Sequence, residues 1–199
     1  MNKLRSRLIW ILLLTNLVLT GCVAHHAIAF EDTHYAIDAK KQNTSIIAVI
    51  DQQTLNQKVS IRSFMVGAGH SWDAEPGQML KQVADIELPQ MFEHYEFASD
   101  YQESNSPGQR IILKMQVPDY QFKNFKATIT VQAIASTSKG EKLFTKTYTA
   151  AGDTQGAKMY WGGPFAMKSA VRQSSLEAYK KIFEQIRGDL AKAMESIRS

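Results

Sequence analysis

The first 22 residues constrain the chain most, because they combine a cationic, apolar leader with its only cysteine. Three cations in the first seven residues precede an apolar run at 8–19, LIWILLLTNLVL. This arrangement is typical of a cleaved signal peptide, and the run is too short for a membrane-spanning helix, which needs about 20 residues. Because Cys22 is the single cysteine, no disulfide can form within the chain. Burial of a hydrophobic core must therefore stabilise the fold.

The residues that end the leader form a specific pattern. The sequence Leu19-Thr20-Gly21-Cys22 resembles the lipobox of bacterial prolipoproteins, in which small residues before the cysteine admit a membrane-embedded peptidase. The resemblance implies a diacylglyceryl group on Cys22, cleavage before it, and acylation of the new amino group by a fatty acid such as palmitate. Several acyl chains anchor a protein stably, whereas one gives only reversible binding. The alternative is a buried core thiol after an ordinary cleavage site, and the complete pattern disfavours it.

Position 23 bears on which membrane holds the anchor. It is Val23 rather than the aspartate that marks inner-membrane retention in enteric lipoproteins. The resemblance thus implies a lipid anchor in the outer membrane, facing the periplasm. The next residues show little periodicity, which indicates a lipidated N-terminus and tether at 22–44. We therefore divide the chain into a leader at 1–21, this tether, and one α/β periplasmic domain at 45–199.

Charge excludes one class of partner. The formal charge is +4, from 23 Lys and Arg against 19 Asp and Glu. Three of those cations lie in the leader, and without them the charge falls to +1. Such a chain lacks the clustered cations that neutralise phosphates, so we expect no nucleic-acid partner.

β-Branched and alternating runs predict the strands. The run SIIAVID at 45–51 is typical of a strand that is buried on both faces, and 59–66 is a weaker candidate. Clean alternation at 110–117 and 126–136, followed by 141–151, predicts an antiparallel meander with one solvated face. Together these runs predict a mostly antiparallel sheet of about four to five strands.

Two segments have the spacing of amphipathic helices. The first, 73–95, contains Pro89, whose missing N–H predicts a kink or a break into two pieces. The second, 166–197, is a long C-terminal helix. The predicted fold class is α+β, a single two-layer domain with two main helices packed on one face of the sheet. The apolar stripe of the first helix runs through Leu80, Val83, Glu87 and Met91.

The order of these elements behind a lipobox is similar to that of small α/β outer-membrane lipoproteins. The segments SIIAVID, RIILKMQV and KATITVQAIAS and the final helix carry the similarity. The families that the chain resembles are the YajG-like, the LptE-like and the ABC-transport auxiliary lipoproteins. Because the resemblance is one of element order, it carries over no functional residue apart from Cys22.

Residues with catalytic chemistry are few. His70, Ser71 and Asp73 supply the residue types of a hydrolytic triad, but triad members normally converge from distant parts of a fold. The glycines at 67–69 lack the further residues of a nucleotide-binding loop and favour a turn. The histidines of the tether have no cysteine or carboxylate at ligand spacing. We therefore expect no enzymatic activity, no catalytic residue, no metal site and no cofactor.

An aromatic cluster is the strongest candidate for a contact surface. The segment 158–165, KMYWGGPF, lies in the expected connection before the final helix and places Tyr160, Trp161 and Phe165 among glycines. Such rings contribute large contact areas with a polar tip. Trp72, in the earlier glycine-containing loop, is a second candidate. The alternative is that these rings cover the sheet edge or the base of the last helix.

These features predict a non-enzymatic outer-membrane lipoprotein that is an accessory or structural component of an envelope assembly or transport machine. Its expected partners are the membrane, through Cys22, and an envelope protein or a second copy of the chain. The alternative is a periplasmic carrier or sensor that holds a lipid, glycan or peptide in an apolar groove between helix and sheet. A remote third hypothesis is a hydrolase built on residues 67–73.

Overall fold

A computed structural model describes residues 24–31, 33–61, 70–101 and 110–198. These ranges contain eight strands and three helices, which confirms the α+β class but not the single predicted sheet. The elements are β1 (Ala24–Ile28), β2 (Gln42–Val49), α1 (Gln52–Leu55), β3 (Val59–Ile61), β4 (His70–Ala74), α2 (Pro76–Met91), β5 (Phe92–Ala98), β6 (Arg110–Lys123), β7 (Lys126–Thr137), β8 (Lys142–Ala151) and α3 (Gly156–Arg198).

The larger sheet has five strands in the order β5-β2-β6-β7-β8. Strand β2 pairs in parallel with β5 and β6, whereas β6, β7 and β8 form an antiparallel meander. The sheet is therefore mixed rather than mostly antiparallel. Strand β2 is buried on both faces as predicted, because Ile46 lies in the main core and Ile47 packs in a small second cluster with Ile112.

The meander follows its predicted alternation closely. The inward residues of β7 are fully buried, and the two long helices, α2 and α3, lie on that side of the sheet. A two-residue turn of Asn124 and Phe125 joins β6 to β7, and both residues have positive φ, at 52° and 57°. That geometry matches the right-handed twist of paired strands and suits asparagine better than phenylalanine. The inward residues are Ala127, Ile129, Val131, Ala133 and Ala135.

The segment that we predicted as a tether is part of the fold. Residues 24–28 form β1, which pairs in parallel with β4 in a second sheet of order β1-β4-β3. Ile28 is fully buried and Phe30 is 7% exposed. The sequence AHHAI has no amphipathic period, and its partner strand lies more than forty residues away, so local patterning does not indicate this strand.

Two glutamines hold the next residues against α2. We call residues 29–31 and 33–41 the strap. Gln82 accepts a hydrogen bond from Phe30 N (3.0 Å) and donates one to Phe30 O (3.1 Å). Gln90 likewise accepts from Ile37 N (2.9 Å) and donates to Tyr35 O (3.0 Å). The amide side chains thus satisfy strap backbone groups as a neighbouring strand would.

The two long helices, α2 and α3, differ from their predicted bounds. Helix α2 begins at Pro76 and continues through Pro89 to Met91, where β5 follows directly. The predicted break into two pieces is wrong, because a proline two residues from the end removes only one hydrogen bond near the terminus. Helix α3 begins at Gly156, ten residues earlier than predicted. The buried Tyr179 of α3 donates to Pro76 O (2.6 Å) and joins the two helices.

Candidate functional site

Helix α3 bends near its N-terminus. Lys158 Nζ donates a hydrogen bond to Gln173 Oε1, although fifteen residues of straight helix would separate these positions by about 22 Å. The sequence Gly162-Gly163-Pro164 lies between them. Pro164 has no N–H to donate to the carbonyl of Tyr160, and glycine and proline are the usual places for sharp kinks. The helix therefore bends between Lys158 and Gln173, and these three residues are where a sharp kink is expected.

An exposed aromatic pair immediately precedes the bend. Tyr160 is 79% exposed and Trp161 is 86% exposed, and they are the large hydrophobic side chains that lie open to solvent in the described ranges. Their ring centroids are 5.2 Å apart with an interplanar angle of 88°, the favoured edge-to-face arrangement. A rigid aromatic pair on the surface is typical of a contact site rather than of a core.

Cations surround this end of α3. Lys168 Nζ lies 3.2 Å from Glu31 Oε1, and Arg172 pairs with the same carboxylate at 2.5 Å. The hydrogen bonds from Arg172 and then Lys168 lower the pKa of Glu31 from 4.5 to about 2. Lys158 lies close by, because its ammonium contacts Gln173, whose amide donates in turn to Glu177 Oε1 (3.4 Å).

The structure exposes two of the predicted contact residues and buries a third. Tyr160 and Trp161 stand together at the surface, but on the first turns of a helix rather than in a connection. Trp72 lies in β4 and is only 5% exposed, so it contributes to the core and presents no contact surface. Cys22 and the side chain of Phe165 lie outside the described residues.

A groove of about 400 Å³ lies between the strap, α2 and α3, and both charged side chains and the apolar Ile37 line it. At its base, the carboxylate of Glu87 is 1% exposed, pairs with Arg187 and accepts a hydrogen bond from Tyr35 (2.9 Å). Burial, and then the neighbouring Glu87, raises the pKa of Tyr35 well above its usual value. Lys180 Nζ sits 3.9 Å from the centroid of the Tyr35 ring. These charged groups partner one another and hold the strap in place.

Sequence reasoning missed this cluster, although a signal was present. Glu87 occupies a position on the apolar stripe of α2, where a charge is expected only with a buried partner. That partner, Arg187, is one hundred residues away, and no local pattern identifies it.

The residues considered for catalysis do not form a site among the described positions. Asp73 accepts a hydrogen bond from Ser60 Oγ at 2.6 Å. The other histidine of the predicted domain, His94, is exposed on the edge strand β5. The side chains of His70 and Ser71 lie outside the described residues, as do the glycines at 67–69. Within the ranges that the structure covers, no three His, Cys, Asp or Glu side chains gather as metal ligands do. No helix in those ranges has both the length and the apolar character that crossing a membrane requires.

Comparison with known proteins yields distant structural similarity alone. No family model and no curated protein matches the chain. A DUF330 protein from Xanthomonas campestris has a TM-score of 0.47 and 14% identity over 85% of this chain and 98% of its own. A hypothetical protein from Chlamydia trachomatis has a TM-score of 0.41 and 7% identity, with coverages of 73% and 96%. A candidate lipoprotein from Caulobacter crescentus has a TM-score of 0.31 and 15% identity, with coverages of 58% and 83%.

Proposed function

We propose that the protein is a non-enzymatic lipoprotein, anchored by acyl chains on Cys22 in the outer membrane and facing the periplasm. In this proposal it acts as an accessory or structural binding component of an envelope assembly or transport machine. Its protein partner is another envelope protein or a second copy of the chain. The cationic leader, the lipobox and Val23 support the anchor and its address.

The exposed Tyr160–Trp161 pair is the observation that carries the proposal. It is a contact surface for something outside the chain, and its surroundings contain paired charges rather than a nucleophile with a base. A protein that attaches to its surroundings by such a surface is suited to hold a position in an assembly.

The start of the fold supports a positioning role. Strand β1 begins at Ala24, two residues after Cys22, so an acylated Cys22 lies within about 7 Å of the first strand. The anchor is thus attached to the folded domain itself, and a domain so attached has a restricted place and orientation at the membrane.

The carrier alternative has less support from the geometry. An apolar ligand needs an open apolar groove between helix and sheet. Large side chains fill that interface, among them Phe92, Tyr179 and Phe183, which are all fully buried. The groove beside α3 contains apolar surface from the strap, but charged residues such as Glu177, Lys180 and Arg187 line it too.

Photo-crosslinking of the full chain in cells tests the proposal. A photoreactive residue is placed at Trp161, at Lys114 on the outer face of β6, or at Lys192 on the solvated face of α3, both exposed. We expect a discrete protein adduct from at least one position, and its loss when Cys22→Ala removes the anchor. No protein adduct from any position in a correctly acylated chain would refute the proposal. A small molecule that co-purifies with the full chain in native mass spectrometry would favour the carrier instead.

A further inference from the structure

We propose that Tyr160 and Trp161 insert into the headgroup region of the same bilayer that holds Cys22. The inference rests on the proposed lipid anchor and names the partner of the aromatic pair, a lipid surface. The domain would then touch the membrane at two places, the acylated N-terminus and the bend of α3.

The chain leaving β1 runs in the same direction as α3. The carbonyl of Ala29 accepts a hydrogen bond from Arg172 Nε at 2.6 Å. Six residues later, Tyr35 bonds to Glu87, which pairs with Arg187 of α3. The strap therefore follows α3 from position 172 toward position 187.

The contact between Ala29 and Arg172 keeps the start of β1 and the bend of α3 close in space. From Ala29, β1 extends about 16 Å back to Ala24. From Arg172, α3 extends about 12 Å back to the bend at Pro164. Trp161 directly precedes that bend, so Trp161 and Ala24, the described residue nearest the anchor, each lie within about 16 Å of the Ala29–Arg172 contact.

The chemistry of this end suits a lipid surface. Tryptophan and tyrosine favour the membrane–water interface, where the ring is partly apolar and its tip stays hydrated. Three cations, Lys158, Lys168 and Arg172, lie near this end, where Lys168 and Arg172 share the carboxylate of Glu31. Each exposed cation near an anionic leaflet adds a favourable electrostatic contribution. A protein docked on this end would have to fit between the domain and the bilayer to which Cys22 is held.

Tryptophan fluorescence of the acylated full chain in vesicles tests the inference. After loss of the leader, Trp72 and Trp161 are the tryptophans that remain, and Trp161→Phe isolates the signal of Trp161 by difference. The vesicles contain phosphatidylethanolamine and phosphatidylglycerol, with or without brominated acyl chains that quench nearby tryptophan. In the matched control, Lys192→Trp is added to Trp161→Phe, which places the probe about 42 Å beyond the bend of α3.

We expect brominated lipid to reduce the Trp161 emission about two-fold and to leave the tryptophan at position 192 unchanged. Flotation of the protein with the vesicles reports separately on the anchor. A floating chain whose Trp161 is not quenched, or is quenched no more than the tryptophan at 192, would overturn the inference and leave the proposed function standing. A protein adduct at Trp161 in cells would do the same. A chain that carries no acyl group on Cys22 and does not float would overturn both.

Discussion

Glu87 illustrates how a single buried charge organises three parts of the chain. Its carboxylate lies on α2, pairs with Arg187 of α3 and accepts a hydrogen bond from Tyr35 of the strap. A buried ion pair contributes little compared with an apolar pair of the same volume, but removing one partner leaves an uncompensated charge. The cluster therefore makes the strap and both helices depend on one another.

Loss of Arg187 should be costly. We expect Arg187→Met to lower the free energy of unfolding by about 3 kcal/mol in urea titrations, because Glu87 then stays buried without its cation. Adding Glu87→Gln to that variant should recover part of the loss, since a neutral amide needs no counterion. As a control, Lys58→Met removes the exposed ion pair with Glu75 and should cost less than about 1 kcal/mol. Equal losses for Arg187→Met and Lys58→Met would contradict this account.

The stability of the fold should depend on pH through Glu31, a carboxylate at the surface. Because the hydrogen bonds from Arg172 and Lys168 hold its pKa at about 2 rather than 4.5, the carboxylate stabilises the folded chain above about pH 4.5. This contribution is lost as the pH falls toward 2. The difference in urea midpoint between the wild type and Glu31→Gln should therefore shrink over that window. In an NMR titration, Arg172→Gln should raise the pKa of Glu31, and an unchanged pKa would refute the assignment.

Strands and helices with a local sequence pattern could be predicted, whereas those that depend on contacts distant in the sequence could not. The meander is evident because buried positions alternate within each strand, and the stripe of α2 is evident because its buried positions recur every three or four residues. Strand β1 was missed because its parallel pairing with β4 is non-local and its own sequence has no period. The first turns of α3 were missed because Gly162-Gly163-Pro164 resembles the end of a loop. Residue type alone singled out Tyr160 and Trp161, but only the fold separates them from the buried Trp72.

Two glycines next to or within α3 should respond oppositely to alanine. A Cβ on Gly152 would lie 1.8 Å from the backbone oxygen of Ser174, so we expect Gly152→Ala to destabilise the fold by about 3 kcal/mol. Gly188 is exposed in the helix interior and a Cβ there would meet nothing within 4 Å. Gly188→Ala should stabilise the protein by about 0.5 to 1 kcal/mol. Thermal unfolding of both variants checks the pair, and a stabilising Gly152→Ala would show that β8 and α3 are further apart than described.

In the molecule as a whole, β1 and the strap are packed into the domain and are not a tether in front of it. Strand β1 and the strap contribute Ile28 and Phe30 to the main core and bind α2 and α3 through Gln82, Gln90 and Arg172. The domain boundary predicted at residue 45 therefore cuts through packed structure.

Truncation should expose this dependence. A chain that begins at residue 45 loses the buried side chains of Ile28 and Phe30, which together correspond to about 4 kcal/mol of hydrophobic stabilisation. We expect its urea midpoint to fall well below that of a chain beginning at Val23. Equal midpoints would mean that the first strand and the strap are dispensable and that the segment is a tether after all.

The parallel pairing of β1 with β4 also has a mechanical meaning. The lipid would pull on the N-terminal end of β1, along the strand axis, so the hydrogen bonds of all five residue pairs from Ala24 to Ile28 would be loaded in shear at once. Two strands loaded in shear resist tension better than two strands whose hydrogen bonds break one after another. Forces from the lipid would therefore pass directly into the domain, with no slack linker to absorb them, and the protein would follow its patch of membrane as a rigid body.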